Sequence, residues 1–371
     1  MAKSPAVPPA LSGHGSTEPT EGPLTLEELQ LAARNRGMPL EALRYDLTPT
    51  GLHYLLVHWD IPAIDPSSWR LRIDGRVARP LELDLDDLRR RPRRTIPVTL
   101  ECAGNGRAEL SPRPLSQPWL FEAVGNAEWT GTPLRGLLEE AGVEAGAVEV
   151  AFRGLDRGIE GGEEQHYERS LPLADALGDE VLLAYEMNGR PLPPQHGFPL
   201  RLVVPGWYGM TSVKWLERIA VRDTPFEGYQ QVRSYRVRQT PEEDGEPVSR
   251  ILPRSLILPP GLPDFATRAR THGGGRCVVR GRAWSGLAPV ERVEVSADGG
   301  AAWSDARLGP PGSRHGWRSW QWDWDPAGPG VYELCSRATD EAGNTQPLEA
   351  PWNLGGYANN EVHRVEVTVT G

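Results

Sequence analysis

Cys102 is the residue with the clearest chemical promise. It stands in Leu100-Glu101-Cys102-Ala103-Gly104-Asn105-Gly106-Arg107. Pro97-Val98-Thr99-Leu100 predicts a short apolar strand, and Ala103 to Gly106 predicts a turn. A thiol so placed sits at the mouth of a strand, beside small residues that let a bulky ligand approach. Arg107, five positions on, adds positive charge. A nearby cation or metal lowers a thiol's pKa, and the thiolate is both a nucleophile and a soft metal ligand. A buried structural cysteine is the plain alternative. The turn and the arginine favour the reactive one.

The elements that must position this thiol fall into two textures. Thr25-Leu26-Glu27-Glu28 has the spacing of a capping box and predicts a helix through Arg34. Thr132-Pro133-Leu134 predicts another, with Thr132 as N-cap, Pro133 at N1, Leu134, Leu137, Leu138 and Ala141 on the apolar face, and Gly142 as terminator. Strands are expected at Val148 to Phe152 and Leu200 to Val204, so this first region reads as mixed α and β. Beyond about residue 250 only strand patterns remain. Val293 and Val295, then Val365, Val367 and Val369, alternate with polar residues. Asp298-Gly299-Gly300 marks a tight turn, and Pro326 to Gly330 marks a loop. Seven of the 13 tryptophans fall between Trp284 and Trp352, enough aromatic mass to fill a sandwich core.

Composition sets bounds. The 371 residues are 39% hydrophobic and 24% charged, an ordinary globular balance with room for two cores. A formal charge of −10 argues against nucleic acid, because phosphate binding needs a basic footprint. No apolar run approaches the roughly 20 residues of a membrane span. Residues 1–24 are rich in Pro, Gly, Ser and Thr without an apolar signal core, so a disordered tail and a cytoplasmic address are expected. The three cysteines do not make a disulfide scaffold. Cys277 and Cys335 flank Trp284 as an immunoglobulin-type bridge would. In a reducing compartment two buried free thiols are the expectation.

Thr99 to Arg107 closely resembles the cysteine loop of the sulfite oxidase family of molybdenum enzymes. The likeness runs on in order through Trp119 with Gly125-Asn126-Ala127-Glu128-Trp129-Thr130-Gly131, and through Leu183-Ala184-Tyr185-Glu186-Met187-Asn188-Gly189. It continues through His196-Gly197-Phe198-Pro199-Leu200-Arg201, Val203-Val204-Pro205-Gly206 and Val213-Lys214-Trp215-Leu216. Near the end, Gly281-Arg282-Ala283-Trp284-Ser285-Gly286 and Trp352-Asn353-Leu354 resemble the family's second domain. The resemblance covers about residues 45–370.

It implies an α+β fold: a mixed α/β molybdopterin domain over 25–245, then an immunoglobulin-like β-sandwich over 250–371 that mediates homodimerisation. It implies one molybdenum–molybdopterin per chain, with Cys102 as metal ligand. Matching positions make Tyr54, His58, Asp156, His196, Arg201, Ser212 and Lys214 the cofactor-binding set, since a pterin ending in phosphate calls for Arg, Lys and His donors. Singly each has a dull alternative, such as a loop brace for His196 or a surface pair for Arg201. Arg107 is expected to line an anion pocket walled by Trp119. Tyr235 is expected near the metal's reactive oxygen as a hydrogen-bond partner or proton relay. The implied reaction is oxygen-atom transfer, with sulfite oxidised to sulfate as first choice. Another small sulfur or nitrogen oxo-compound is the alternative, and a catalytically idle cofactor-bearing binding protein is a third reading. Neither a haem nor a flavin domain is expected, so the electron acceptor would be a separate molecule.

One departure matters. In Tyr54-Leu55-Leu56-Val57-His58, Leu56 stands where the sulfite oxidases carry an arginine. An isobutyl group there removes a fixed charge from the pocket and weakens dianion binding, unless Arg153, Arg157 or another nearby cation compensates. Gly286-Leu287-Ala288-Pro289 likewise replaces the family's glycine-rich, arginine-ended run.

Overall fold

The capping box read from the sequence is present. In a computed structural model that describes residues 20–371, Glu28 N–H donates to Thr25 Oγ1 at 3.1 Å, and Thr25 N–H donates to Glu28 Oε2 at 2.9 Å. The helix Leu26–Arg34 follows. Glu28 is fully buried and pairs with Arg113 at 3.0 Å. Of the expected tail, residues 1–19 lie outside the described residues. Residues 20–24 run along Arg113: Thr20 forms a backbone bridge with it, and the Gly22 and Pro23 carbonyls accept from its guanidinium.

The second expected helix forms as Leu134–Ala141, closed by Gly142 at φ 70°. Its start differs from the reading. Thr132 belongs to the strand Val124–Pro133, and Pro133 takes the N-cap position without a side-chain cap. Instead Leu134 N–H donates to the Val181 carbonyl at 2.9 Å, so the neighbouring chain satisfies the helix end.

Two sheets build the first unit. One has five strands in the order Leu81–Leu83, Leu71–Gly75, Leu216–Arg222, Glu149–Glu160, Glu163–Pro172, with a single parallel pair between Leu71–Gly75 and Leu216–Arg222. Its apolar face packs on Leu134, Leu137, Leu138 and Ala141 around the fully buried Ile73, Phe152 and Ile219. The other pairs Arg94–Glu101 with Val124–Pro133, and Val124–Pro133 with Leu182–Met187, over Val98, Leu100 and Trp129. Helices are few and short, and strands dominate.

After residue 250 two further sheets enclose a third core. One joins Arg254–Leu258, Cys277–Trp284, Arg318–Trp324 and Arg307–Leu308; the other has six strands and includes Val290–Ser296, Gly330–Asp340 and His363–Val369. Val365, Val367 and Val369 point inward while Arg364, Glu366 and Thr368 stay exposed, the alternation of a half-buried strand. The tryptophans divide in a way periodicity did not foretell. Trp320 and Trp324 fill this core, but Trp284 and Trp317 lie at the junction with the first unit, with Ala103, Tyr235 and Tyr357. Trp303 and Trp352 are half-exposed. Cys277 and Cys335 are unbridged, the former only partly buried. Among the described residues no helix is long and apolar enough to cross a membrane.

Candidate active site

Cys102 leaves the end of the strand Arg94–Glu101, and its turn is tight because two glycines permit it. A Cβ on Gly104 would come within 2.4 Å of the Arg107 guanidinium, and Gly106 sits at φ 85°, where an L side chain is strained. The loop is held from the second unit as well. Ala358 N–H donates to the Ala103 carbonyl at 2.8 Å, Asn359 Nδ2 to the Gly106 carbonyl at 2.7 Å, and Arg107 Nε to the Gly355 carbonyl at 2.9 Å. Burial pushes the thiol's pKa up, and the Arg107 charge opposes that. A soft cation bound there would displace the proton.

A cavity opens over this thiol. Cys102, Tyr54, Leu56, His58, Asp156, His196, Arg201, Ser212, Lys214 and Tyr235 all line it, although they come from strands, turns and loops far apart in the chain. Asp156 reaches it because the ladder between Glu149–Glu160 and Glu163–Pro172 slips between Arg153 and Arg157, which frees that segment from regular pairing. His196 closes the short turn Pro194–His196, and Arg201 opens the strand Arg201–Val203. Ser212 Oγ accepts from Val204 N–H at 3.1 Å, which fixes the turn before Lys214.

The electrostatics around Arg201 and Lys214 are lopsided. Arg201 is buried over the Trp129 ring at 4.7 Å, and its guanidinium donates only to backbone carbonyls, those of His196 and Ser212 at 3.1 Å being the shortest. Lys214 Nζ likewise donates to the Leu56 and Gln195 carbonyls at 2.8 and 3.1 Å. Among the described residues neither has a carboxylate within 4 Å, so the buried Arg201 and the half-buried Lys214 share one site without a salt bridge. Burial lowers the Arg201 pKa to about 10 and drives His196 down to about 2. Lys214 is pushed down by burial and then by Arg201, while Asp156 is pushed up by burial against the pull of Lys214. His53 donates from Nδ1 to the Tyr54 carbonyl at 3.1 Å, which leaves Nε2 buried without a hydrogen-bond partner. Asp156 Oδ1 is also unpartnered. Such a set is incomplete alone. It calls for an anion carrying many polar atoms.

Tyr235, also in the cavity lining and at φ 54°, turns its phenol towards His58, with Oη 2.7 Å from Nε2. His58 stacks on Tyr167 at 4.6 Å, and the Tyr235 ring lies 5.3 Å from that of Tyr357. Burial raises the Tyr235 pKa well above its ordinary value, so the phenol is a proton carrier rather than a standing anion.

Two expected pocket residues lie elsewhere. Arg107 and Trp119 are not among the residues lining this cavity. Arg107 is buried against the Gln117 and Gly355 carbonyls, and Trp119 packs with Cys102, Ala123 and Leu56. Leu56 does line the cavity. Arg153 and Arg157 do not replace its missing charge: they pair with Glu168 at 2.7 Å and Glu164 at 2.9 Å, outside the cavity lining. Sequence reading missed His53, Tyr167 and Met210, which also line the site. The adjacency of His53 to Tyr54 was its only signal.

No group of three or more His, Cys, Asp or Glu side chains gathers as a protein-only metal site among the described residues. A metal at Cys102 must therefore arrive with other ligands of its own. The donors lining this cavity fit such a group: one soft thiol, unpartnered buried polar atoms on His53 and Asp156, and the cations Arg201 and Lys214 without a salt-bridged carboxylate among the described residues.

Comparison with known proteins agrees with that chemistry. Residues 58–230 match the family described as the oxidoreductase molybdopterin binding domain, and residues 263–370 match the Mo-co oxidoreductase dimerisation domain. The class is thus a molybdopterin-dependent oxidoreductase. The chain is 40% identical to sulfite oxidase from Gallus gallus over 337 residues, covering 86% of this chain and 72% of that one. It is 38% identical to mitochondrial sulfite oxidase from Homo sapiens, covering 87% of this chain but 62% of that one, less than two thirds of its length. An NADH nitrate reductase from Solanum lycopersicum is 34% identical over 90% of this chain and 40% of its own. Among solved structures, the sulfane dehydrogenase SoxCD from Paracoccus pantotrophus superposes with a TM-score of 0.78 at 32% identity, covering 90% of this chain and 84% of that one. The chain belongs to the sulfite oxidase family of molybdopterin oxidoreductases, and it is an enzyme of that type.

Proposed function

We propose that this enzyme oxidises sulfite to sulfate by oxygen-atom transfer and passes the electrons to a separate acceptor. The observation that carries the reading is one cavity lined by a soft thiol, a hydrogen-bonded phenol and two cations that no carboxylate within 4 Å neutralises among the described residues. Bound molybdenum–molybdopterin would supply the two-electron redox and oxygen-atom chemistry. Cys102 would hold the metal as thiolate. Arg201, Lys214 and His196 would hold the terminal phosphate, with His53, Tyr54, His58, Asp156 and Ser212 giving polar contacts to the pterin.

The chain's own residues do the remaining work. Tyr235 Oη and His58 Nε2 form a pair that can hold or pass a proton between the cavity and the imidazole. Arg107, behind the thiol, contributes positive charge without a carboxylate partner within 4 Å among the described residues. Leu56 lines the cavity with an apolar side chain, and Trp119 packs against it and Cys102, so the thiol's surroundings are water-poor and nearby charges act more strongly.

The test is a dye-linked assay on purified protein with its molybdenum content measured. Sulfite-dependent dye reduction supports the proposal. Metal-loaded protein that reduces no dye with sulfite overturns it. Nitrate reduction is a second reading, favoured by the nitrate reductase relatives; turnover of nitrate with a reduced dye would select it. We further read the second unit as an immunoglobulin-like homodimerisation domain, supported by its sandwich form and by the dimerisation-domain match.

A further inference from the structure

Arg169 lies on the strand Glu163–Pro172 and is 2% exposed. Its guanidinium donates to the Gln230 carbonyl, its Nε has no hydrogen-bond partner, and among the described residues no carboxylate lies within 4 Å of it. Glu160, the carboxylate whose charge acts on Tyr235, is instead bound by Gln230 Nε2 at 2.6 Å. An unpaired guanidinium this deeply buried is costly, and an unused one would not be expected.

Its surroundings give it a use. The guanidinium carbon stands 5.4 Å from the centre of the Tyr235 ring. The Tyr235 ring lies 5.3 Å from that of Tyr357, and the Arg107 guanidinium carbon stands 5.3 Å from the Tyr357 ring. Two cations without a carboxylate within 4 Å among the described residues therefore stand against a pair of adjacent phenols, and one of those phenols lines the cavity with Cys102. Leu56, lining the same cavity, contributes no charge.

We infer that Arg169 is a specificity-determining residue that acts through Tyr235: with Arg107 it supplies the positive potential that lets the cavity take a small dianionic oxyanion despite Leu56. This rests on the oxyanion reading above. Two charges acting across a water-poor aromatic pair attract a dianion more than a monoanion, because Coulomb energy scales with the ligand's charge. Arg169 is a positioning residue here, since it meets the ligand through the phenol and not directly.

The experiment uses metal-loaded wild-type protein and the variants Arg169→Met and Arg169→Lys. It measures sulfate binding by calorimetry and sulfite KM and kcat by dye reduction. Arg169→Met should weaken sulfate binding and raise KM about tenfold or more, with kcat changed far less. Arg169→Lys, which keeps the charge, should stay within a few-fold of wild type while Arg169→Met does not, a charge-dependent difference that a purely structural role would not show. Sulfate binding unchanged in Arg169→Met overturns the inference. Should that variant fail to fold, Arg169→Gln, which keeps a donor for the Gln230 carbonyl without the charge, decides in its place. Wild type that binds sulfate but does not oxidise sulfite sinks the sulfite reading and leaves Arg169 to the variant comparison. Wild type that neither binds sulfate nor oxidises sulfite overturns both, and wild type that oxidises sulfite without binding sulfate overturns the Arg169 inference alone.

Discussion

Glu101, the residue before Cys102, holds its carboxylate 2.9 Å from Arg254 Nε, with both side chains 1% exposed. The same carboxylate accepts from Trp284 Nε1 at 2.7 Å and Asn105 Nδ2 at 3.0 Å. Arg254 and Trp284 belong to the sandwich, so the second unit sets the position of the cysteine loop. Arg254→Met would leave a buried carboxylate without its cation, which costs about 3–5 kcal/mol. Denaturant unfolding should show that loss together with reduced molybdenum content. The double variant with Glu101→Gln should recover much of it, because the uncompensated charge is gone.

The phenol of Tyr235 is the next test. Tyr235→Phe keeps the ring and the backbone but removes the hydroxyl 2.7 Å from His58. Loss of a positioned proton carrier should lower kcat roughly a hundredfold or more. Metal content and melting temperature should stay close to wild type. A variant that turns over at the wild-type rate would remove Tyr235 from the reaction.

Cys102→Ser exchanges a soft thiolate for a hard, protonated hydroxyl. Turnover should collapse and the metal's absorption or EPR spectrum should change. The fold should survive, since the swap costs only about 1–2 kcal/mol. Retained activity would end the assignment of Cys102 as metal ligand.

Leu56→Arg places a guanidinium on the cavity wall. A desolvated charge-assisted contact to an oxyanion is worth about 1.5–3 kcal/mol, so the sulfite KM should fall roughly ten- to a hundredfold. Steady-state kinetics on the two proteins decide it. An unchanged KM would mean that the charge already present around Tyr235 is sufficient.

Acid sensitivity has a specific source in His363. Its Nδ1 accepts from Ile257 N–H at 3.0 Å, and burial, then Arg254, holds its pKa down to about 3 from 6.5. The unfolded chain therefore binds more protons than the folded one between these values. This contribution to stability is complete above pH 6.5 and is lost as pH falls towards about 3, at about 1.4 kcal/mol per unit. His53, lowered to about 4, pulls the same way. His363→Asn retains an acceptor for Ile257 and cannot ionise, so its urea midpoint should fall less between pH 7 and about pH 5. Parallel curves for the two proteins would refute this.

Local signals in the sequence determined a good deal. The Thr25–Glu28 cap, the Gly142 stop, the strand and turn around Cys102 and the valine alternation of His363–Val369 all rest on contacts a few residues apart, so they can be read one segment at a time. The order of motifs from Thr99 to Leu354 determined the family, because a collinear set is far more specific than any one of its members. Only the tertiary structure decided the rest. It decided that Trp284 and Trp317 seal the junction instead of filling the sandwich, and that the slipped ladder after Arg153 delivers Asp156 to the cavity. It placed Arg107 behind the thiol, and it buried Arg169 beside Tyr235, 66 residues further on by number, with no carboxylate within reach among the described residues. A charge in a sequence reads as solvent-facing until its neighbours are known. Whether it is paired depends on contacts between distant segments, and no local pattern encodes those.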